Sequence, residues 1–227
     1  MVDHTFVYTG AVRKMRELVD SGDVGDIYYY DSVRVNLGLF QHDVNVLWDL
    51  AVHDLSIMDF VLPAQPIAVS ATGISHVDGE PENIAYLNLH FTEKVIAHIH
   101  VNWLAPVKVR QTLVGGSRKM IVYDDLEPSE KIKVYDKGIT VNGNGNGDKR
   151  YQMLVGYRAG DMWAPQLDMT EALSLELRQF IKAVEGTVTL STDGHAGLRV
   201  VRVLEAATKS MAERGRVIEL EGAKVTV

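Results

Sequence analysis

The clearest signal along the chain is a series of short runs in which apolar and polar positions alternate. They fall at 67–74, 84–91, 95–103, 107–114, 118–123 and 131–136, and turn residues separate them. Alternation with a period of two, in segments rich in β-branched residues, predicts a meandering antiparallel sheet. The turn at Thr92-Glu93-Lys94 fixes a register. With Phe91 opposite Val95, Leu89 aligns with Ala97 and Leu87 with Ile99. One face is then apolar, and the other carries Asn88, His90, His98 and His100. An earlier strand is predicted at 27–36, with Ile27, Tyr29, Asp31, Val33 and Val35 on one face. Tyr28, Tyr30, Ser32, Arg34 and Asn36 form its other face.

Helical periodicity marks four further segments. Val12, Met15, Leu18 and Val19 make one face of a helix that Gly22 ends, and a strand at 2–8 precedes it. Residues 44–62 are apolar nearly all round, which predicts deep burial, with Asp43 as the cap and Pro63 as the stop. A third helix spans 170–185, capped by Thr170. A fourth spans 195–213, with Leu198, Val201, Leu204, Ala207 and Met211 as its buried stripe. A last strand at 216–220 closes the sheet, and the low-complexity stretch 142–147 (NGNGNG) reads as an exposed, mobile turn. The fold class is therefore α+β: a large, mostly antiparallel sheet with helices on one face.

Charge and composition narrow the function. The 227 residues carry a formal net charge of −7, which argues against a nucleic-acid-binding surface. Cysteine is absent, so there is no disulfide framework and no thiolate chemistry. No apolar run reaches the ~20 residues of a membrane span. The first residues lack the basic-then-apolar pattern of a secretion signal, and a cytoplasmic location is expected.

Ionisable residues interrupt the apolar helix, and one pair of them is spaced for chemistry. Asp49 and His53 stand four apart, on one face and within reach of each other. An imidazole oriented by a carboxylate is a general acid/base arrangement. The alternative from the pattern alone is a buried structural pair or an exposed polar stripe. Arg34 and Asn36 lead into the loop before this helix and are candidate substrate contacts; an exposed polar sheet face is the alternative. Tyr8, at a strand end, and Trp163, ahead of the third helix, are further aromatic candidates for a binding surface, with an ordinary strand-end aromatic and a core or rim Trp as the alternatives. Positions two apart on a flat sheet converge poorly on an ion, so the histidines at 90, 98 and 100 read as a polar face rather than a zinc site.

The stretch 46–62, with its Asp-x-x-x-His core, resembles the catalytic helix of the Gfo/Idh/MocA (glucose–fructose oxidoreductase / inositol dehydrogenase / MocA) family. HTFVYTGAVRKMRELVDSGDVGDIYY, VGGSRKMIVYDD (114–125) and DGHAGLRVVRVLEAATKS (193–210) resemble family sequence too. The resemblance implies a dihydrodipicolinate-reductase-like carboxy-terminal domain at 23–227. It also implies that 1–22 is the last strand and helix of an otherwise missing NAD(P)-binding Rossmann domain. It implies further that a sugar hydroxyl is oxidised with NAD or NADP, that His53 handles the hydroxyl proton, and that Asp49 orients His53. The sheet face is expected to assemble the protein into a homo-oligomer. RVNLGLFQHDVNVLWDLAVHDLSIMDF looks most like the branch acting on nucleotide sugars of the UDP-N-acetylglucosamine type.

The family's Glu-Lys-Pro motif is absent, and so is the Gly-x-Gly-x-x-Gly phosphate fingerprint. This chain alone is therefore expected to hold NAD(P) weakly or not at all and to be inactive. The rival reading is a non-catalytic sugar-binding or assembly module that naturally lacks the nucleotide domain.

Overall fold

The computed structural model describes residues 1–38, 40–92, 94–136, 138–141 and 155–220, and of 138–141 and 155–158 the backbone only. The NGNGNG stretch lies outside the described residues. Among the described residues eleven strands are formed: β1 (Ile27–Leu37), β2 (Ala68–Ile74), β3 (Ile84–His90), β4 (Ile96–Asn102), β5 (Leu104–Gly116), β6 (Met120–Asp124), β7 (Ile132–Tyr135), β8 (Gly138–Val141), β9 (Val155–Arg158), β10 (Met162–Trp163) and β11 (Ile218–Glu219). Nine of them make one sheet in the order β10-β7-β6-β5-β1-β4-β3-β2-β11, and β8 and β9 pair separately. The hairpin register is the expected one, with Leu89 opposite Ala97 and Leu87 opposite Ile99. The sheet is not a plain meander, because β1 lies between β4 and β5 and runs parallel to β4.

The helices are α1 (Gly10–Asp20), α2 (Val52–Val61), α3 (Ala172–Val184) and α4 (Gly194–Ala212). One core joins Val12 and Met15 of α1, Leu55 and Ile57 of α2 and Val200 and Leu204 of α4 to Leu87, Leu89, Ile99 and Val114 of the sheet. On the opposite face of the central strands, Tyr86 is exposed and His98 and His100 are half-buried. Gly22 stops α1 at φ 76°, a left-handed conformation that favours glycine. Gly115 is needed for a different reason: a Cβ there would collide with the ring of Tyr29, which lies across it.

Four local expectations are corrected. Residues 2–8 do not form a strand. Thr5–Tyr8 is a 3₁₀ turn, held by Val7 N–H to His4 O and Thr9 N–H to Phe6 O. A strand needs a neighbouring edge for its backbone groups, and none of the described strands runs beside this segment. Asp43 does not cap the central helix: Asn45 Oδ1 accepts from the Leu47 N–H at 3.1 Å. Glu171 rather than Thr170 caps α3, accepting from the Leu173 and Ser174 N–H groups. In α4 the buried stripe is rotated onto Ala196, Val200, Val203, Leu204 and Ala207, which leaves Leu198 and Val201 exposed.

The third helix is inverted relative to a usual amphipathic surface helix. Leu173, Leu177, Phe180, Ile181 and Val184 face outward, with Val184 73% exposed, while Glu176 is 1% exposed. Burial raises the pKa of the Glu176 carboxyl above its ordinary value.

Candidate active site

The central helix opens with a single π turn over Leu47–Ala51, in which the Val52 N–H reaches back to Leu47 O. Such wide turns recur at functional sites, and this one rotates Asp49 relative to the α-helical residues after it. Asp49 and His53 share no hydrogen bond among the described residues. Asp49 Oδ2 accepts the indole N–H of Trp103 at 2.8 Å. Trp103 is buried at the end of the β4 region, its ring stacked on Phe40 with centroids 5.8 Å apart. The Gly38 N–H bonds Trp103 O at 3.0 Å, and the missing side chain at Gly38 admits the indole. The loop before the helix is thereby pinned over Asp49.

His53 is half-buried, and its ring meets Phe6, with centroids 5.1 Å apart at 58°. Its pKa is pushed down to about 4. Burial is the main cause and the Arg34 cation the next; Asp54 and Asp49 pull the other way, and Arg110 adds to the lowering. The imidazole is therefore neutral at pH 7 and able to accept a proton or a hydrogen bond.

Arg34 lies on the helix-covered face of β1, not on an exposed one. It is 3% exposed, and Asp54 is 2% exposed. Arg34 Nε donates to Asp54 Oδ2 at 2.7 Å and Nη2 to Oδ1 at 3.4 Å. Ser32 Oγ donates to Asp54 Oδ1 at 2.6 Å, and the Tyr30 hydroxyl to the Asp54 carbonyl at 3.1 Å. The guanidinium also sits over the Phe6 ring at 4.6 Å, and that of Arg110 lies 5.9 Å from the same ring. Arg110 Nη1 in turn donates to Asp125 Oδ2 at 3.1 Å, and the Tyr123 hydroxyl donates to Asp125 Oδ1 at 3.1 Å. Burial raises the Tyr123 phenol. Burial also works against the Asp125 charge, but these donors and Lys131 outweigh it and hold the carboxyl below its ordinary value.

The expected site residues are thus only partly brought together. Arg34 and His53 share the Phe6 ring. Tyr8 is buried elsewhere, its hydroxyl 2.7 Å from Thr192 Oγ1. Trp163 is 39% exposed on β10 and lines a separate cavity with Lys14, Glu17 and Leu18 of α1. Asn36 is half-buried near the end of β1. Phe6, Asp54 and Trp103 are the residues that sequence reasoning missed. Asp54 carried a usable signal: a second carboxylate in an otherwise apolar helix requires a cation, and Arg34 stood on a strand face.

The described residues do not fit a dinucleotide. A pyrophosphate is held by free N–H groups at a helix N-terminus. The Glu171 carboxylate already caps α3 and the Asp193 carboxylate caps α4. Thr9 caps α1, where the Asp168 carbonyl crowds Gly10. No group of three or more metal-ligating side chains converges among the described residues.

A nine-stranded open sheet with the apolar helix of Asp49 and His53 packed on it defines an α+β architecture. Residues 12–122 match the family model described as the GFO/IDH/MocA C-terminal domain. It is 22% identical over 218 residues to inositol 2-dehydrogenase of Rhizobium meliloti (strain 1021), covering 89% of this chain and 60% of that protein. A putative myo-inositol dehydrogenase from Sinorhizobium meliloti 1021 superposes with a TM-score of 0.72 at 20% identity, over 97% of this chain and 65% of that one. Levoglucosan dehydrogenase in complex with NADH and levoglucosan superposes with a TM-score of 0.74 at 14% identity, over 97% and 66% respectively. At these identities the superpositions speak for the fold. The chain spans less than two thirds of the length of each of these proteins. Among the described residues, no helix is long and apolar enough to cross a membrane.

Proposed function

We propose that this chain is the substrate-side domain of an NAD(P)-dependent oxidoreductase acting on a hydroxyl of a sugar or cyclic polyol, with His53 as the acid/base at that hydroxyl. The observation that carries the reading is a neutral, half-buried imidazole in an apolar helix, fixed against Phe6 and flanked by Asp49. A general base must be unprotonated at working pH and must have a defined ring position. Trp103 restricts Asp49 through one oxygen, and the other carboxylate oxygen remains to accept from a sugar hydroxyl or a protonated His53. The hydride acceptor belongs to a dinucleotide-binding domain outside these residues, and residues 1–22 are read as the end of that domain. The outward apolar stripe of α3 supports such a neighbour, because contiguous exposed apolar surface marks an interaction face.

A nucleotide-sugar substrate is the finer reading, suggested by the sequence of residues 34–60. Arg34 and Arg110 lend it no diphosphate clamp, since Asp54 and Asp125 already hold them. A neutral ring hydroxyl is what His53 and Asp49 suit directly.

The test is turnover by this chain joined to a dinucleotide-binding domain of the family, with NAD+ or NADP+ and a panel of inositols, hexoses and nucleotide sugars. His53→Ala should lower kcat about 10²–10⁴-fold without loss of the fold. Undiminished turnover in that variant would remove His53 from the chemistry. The second reading, a non-catalytic sugar-binding module, draws on the occupied helix N-termini; sugar binding with no turnover in the joined protein would favour it.

A further inference from the structure

The geometry points to Arg34 as the positioning residue for His53: it locks the helix residue next to His53 and clamps the Phe6 ring on which the imidazole rests. This rests on the reading of His53 as the acid/base, and it reassigns Arg34, which as a substrate contact would have to be open. The side chain is 3% exposed, and two of its three nitrogens are committed to Asp54. The third, Nη1, is buried with no hydrogen-bond partner. A buried guanidinium with an unpaired amine is costly. Two features hold it there: the charge-assisted pair with Asp54 and the stacking on Phe6 at 4.6 Å.

Both features act on His53. Asp54 follows it in the helix, so anchoring Asp54 to β1 through Arg34, Ser32 and Tyr30 fixes the rotation of the helix and the direction in which His53 leaves it. Phe6 contacts Arg34 and His53 at once, so the guanidinium sets the plane against which the imidazole packs. The charged groups around His53 are Arg34, Asp54, Asp49 and Arg110. Of these, Arg34 is the largest influence, and it opposes protonation. A single side chain thereby orients the imidazole and keeps it in the proton-accepting form.

The experiment is an NMR titration of the His53 imidazole in this chain, which needs neither substrate nor cofactor. Arg34→Met should raise the His53 midpoint by about one pH unit, and Asp54→Asn, which leaves the cation unopposed, should lower it. Opposite signs are the discriminating result, because loss of structure would move both variants the same way, toward the ordinary value near 6.5. Unchanged midpoints, or a rise in both variants, would overturn the assignment. Should either single variant fail to fold, the double Arg34→Met/Asp54→Asn removes the buried pair together, which folds tolerate far better. Its midpoint should rise by less than that of Arg34→Met, and no rise would again overturn the assignment. A catalytic role for His53 could fail in the joined enzyme while this coupling stands, so the two readings are separable.

Discussion

Trp103 and Asp49 are joined by an indole N–H to carboxylate hydrogen bond of 2.8 Å, across 54 residues of sequence. The carboxylate that the helix pattern aims at His53 is thus taken up by a tryptophan at the end of the sheet. Trp103→Phe keeps a ring against Phe40 but removes the donor. Asp49 is half-buried, so losing this hydrogen bond should cost about 0.5–1.5 kcal/mol, and urea unfolding should show a loss in that range. Turnover in the joined enzyme should fall as well, because Asp49 is then free to rotate away from the sugar. Stability and turnover both unchanged would show that the bond does not restrain Asp49.

The Arg34–Asp54 pair predicts strong non-additivity. Asp54→Leu alone leaves a buried guanidinium without its counter-ion, and breaking such pairs costs about 3–5 kcal/mol. Replacing both residues, as Arg34→Met with Asp54→Leu, should restore most of that loss, since an apolar pair of similar volume avoids the desolvation of two ions. Chemical denaturation of the two singles and the double gives the coupling energy directly. A double variant as unstable as the sum of the singles would mean that the two side chains are not a unit.

These two contacts show what could be read before the structure and what could not. Alternation along 84–91 and 95–103 was enough to set Leu87 opposite Ile99, because a one-residue slip would have put apolar side chains on the histidine face. The placement of β1 between β4 and β5 was not legible, since periodicity describes each strand but not its neighbours. Asp49 and His53 stood out as charges in an apolar helix, yet their hydrogen bonding depended on a π turn that no spacing rule forecasts. Residues 2–8 misled for a physical reason: β-branched and aromatic residues suit a strand only where an edge is available to pair with. That error pointed to Tyr8 and passed over Phe6. The rotation of α4 by about one position was equally hidden, because Val200, Val201, Val203 and Leu204 offer two apolar faces and packing chose between them.

Acid should weaken the protein in a defined window. In the unfolded chain His53 titrates near 6.5, and in the folded chain near 4. Above about pH 6.5 both states hold the neutral ring and the residue contributes no pH dependence. As pH falls from 6.5 to 4 the unfolded state binds the proton first, so folding stability declines, by on the order of 3 kcal/mol from this residue. His4 and His100, whose pKa values burial also lowers, act in the same direction. The midpoint of urea unfolding should therefore fall between pH 7 and pH 4, and His53→Gln should flatten the slope. An equal slope in that variant would mean that the folded protein does not depress His53.

The uncovered face of the sheet should set the oligomeric state. On it Tyr86 stacks against His100, with ring centroids 4.5 Å apart, and lies 6.3 Å from His98. Ile74, Tyr86 and Ile96 are exposed there, beside Asn88 and His98. A broad sheet face of aromatic and aliphatic side chains, flanked by polar groups, suits a self-complementary contact between two copies. Charge introduced at its centre would be repeated on both copies at close range. Tyr86→Arg is therefore expected to shift sedimentation velocity toward the monomer at concentrations where the parent chain associates, with the far-ultraviolet spectrum unchanged. Phe180→Arg, on the outward stripe of α3, is the control for a different apolar surface and should leave the association intact. Dissociation by Phe180→Arg but not by Tyr86→Arg would transfer the assembly surface to α3 and free the sheet face for another role.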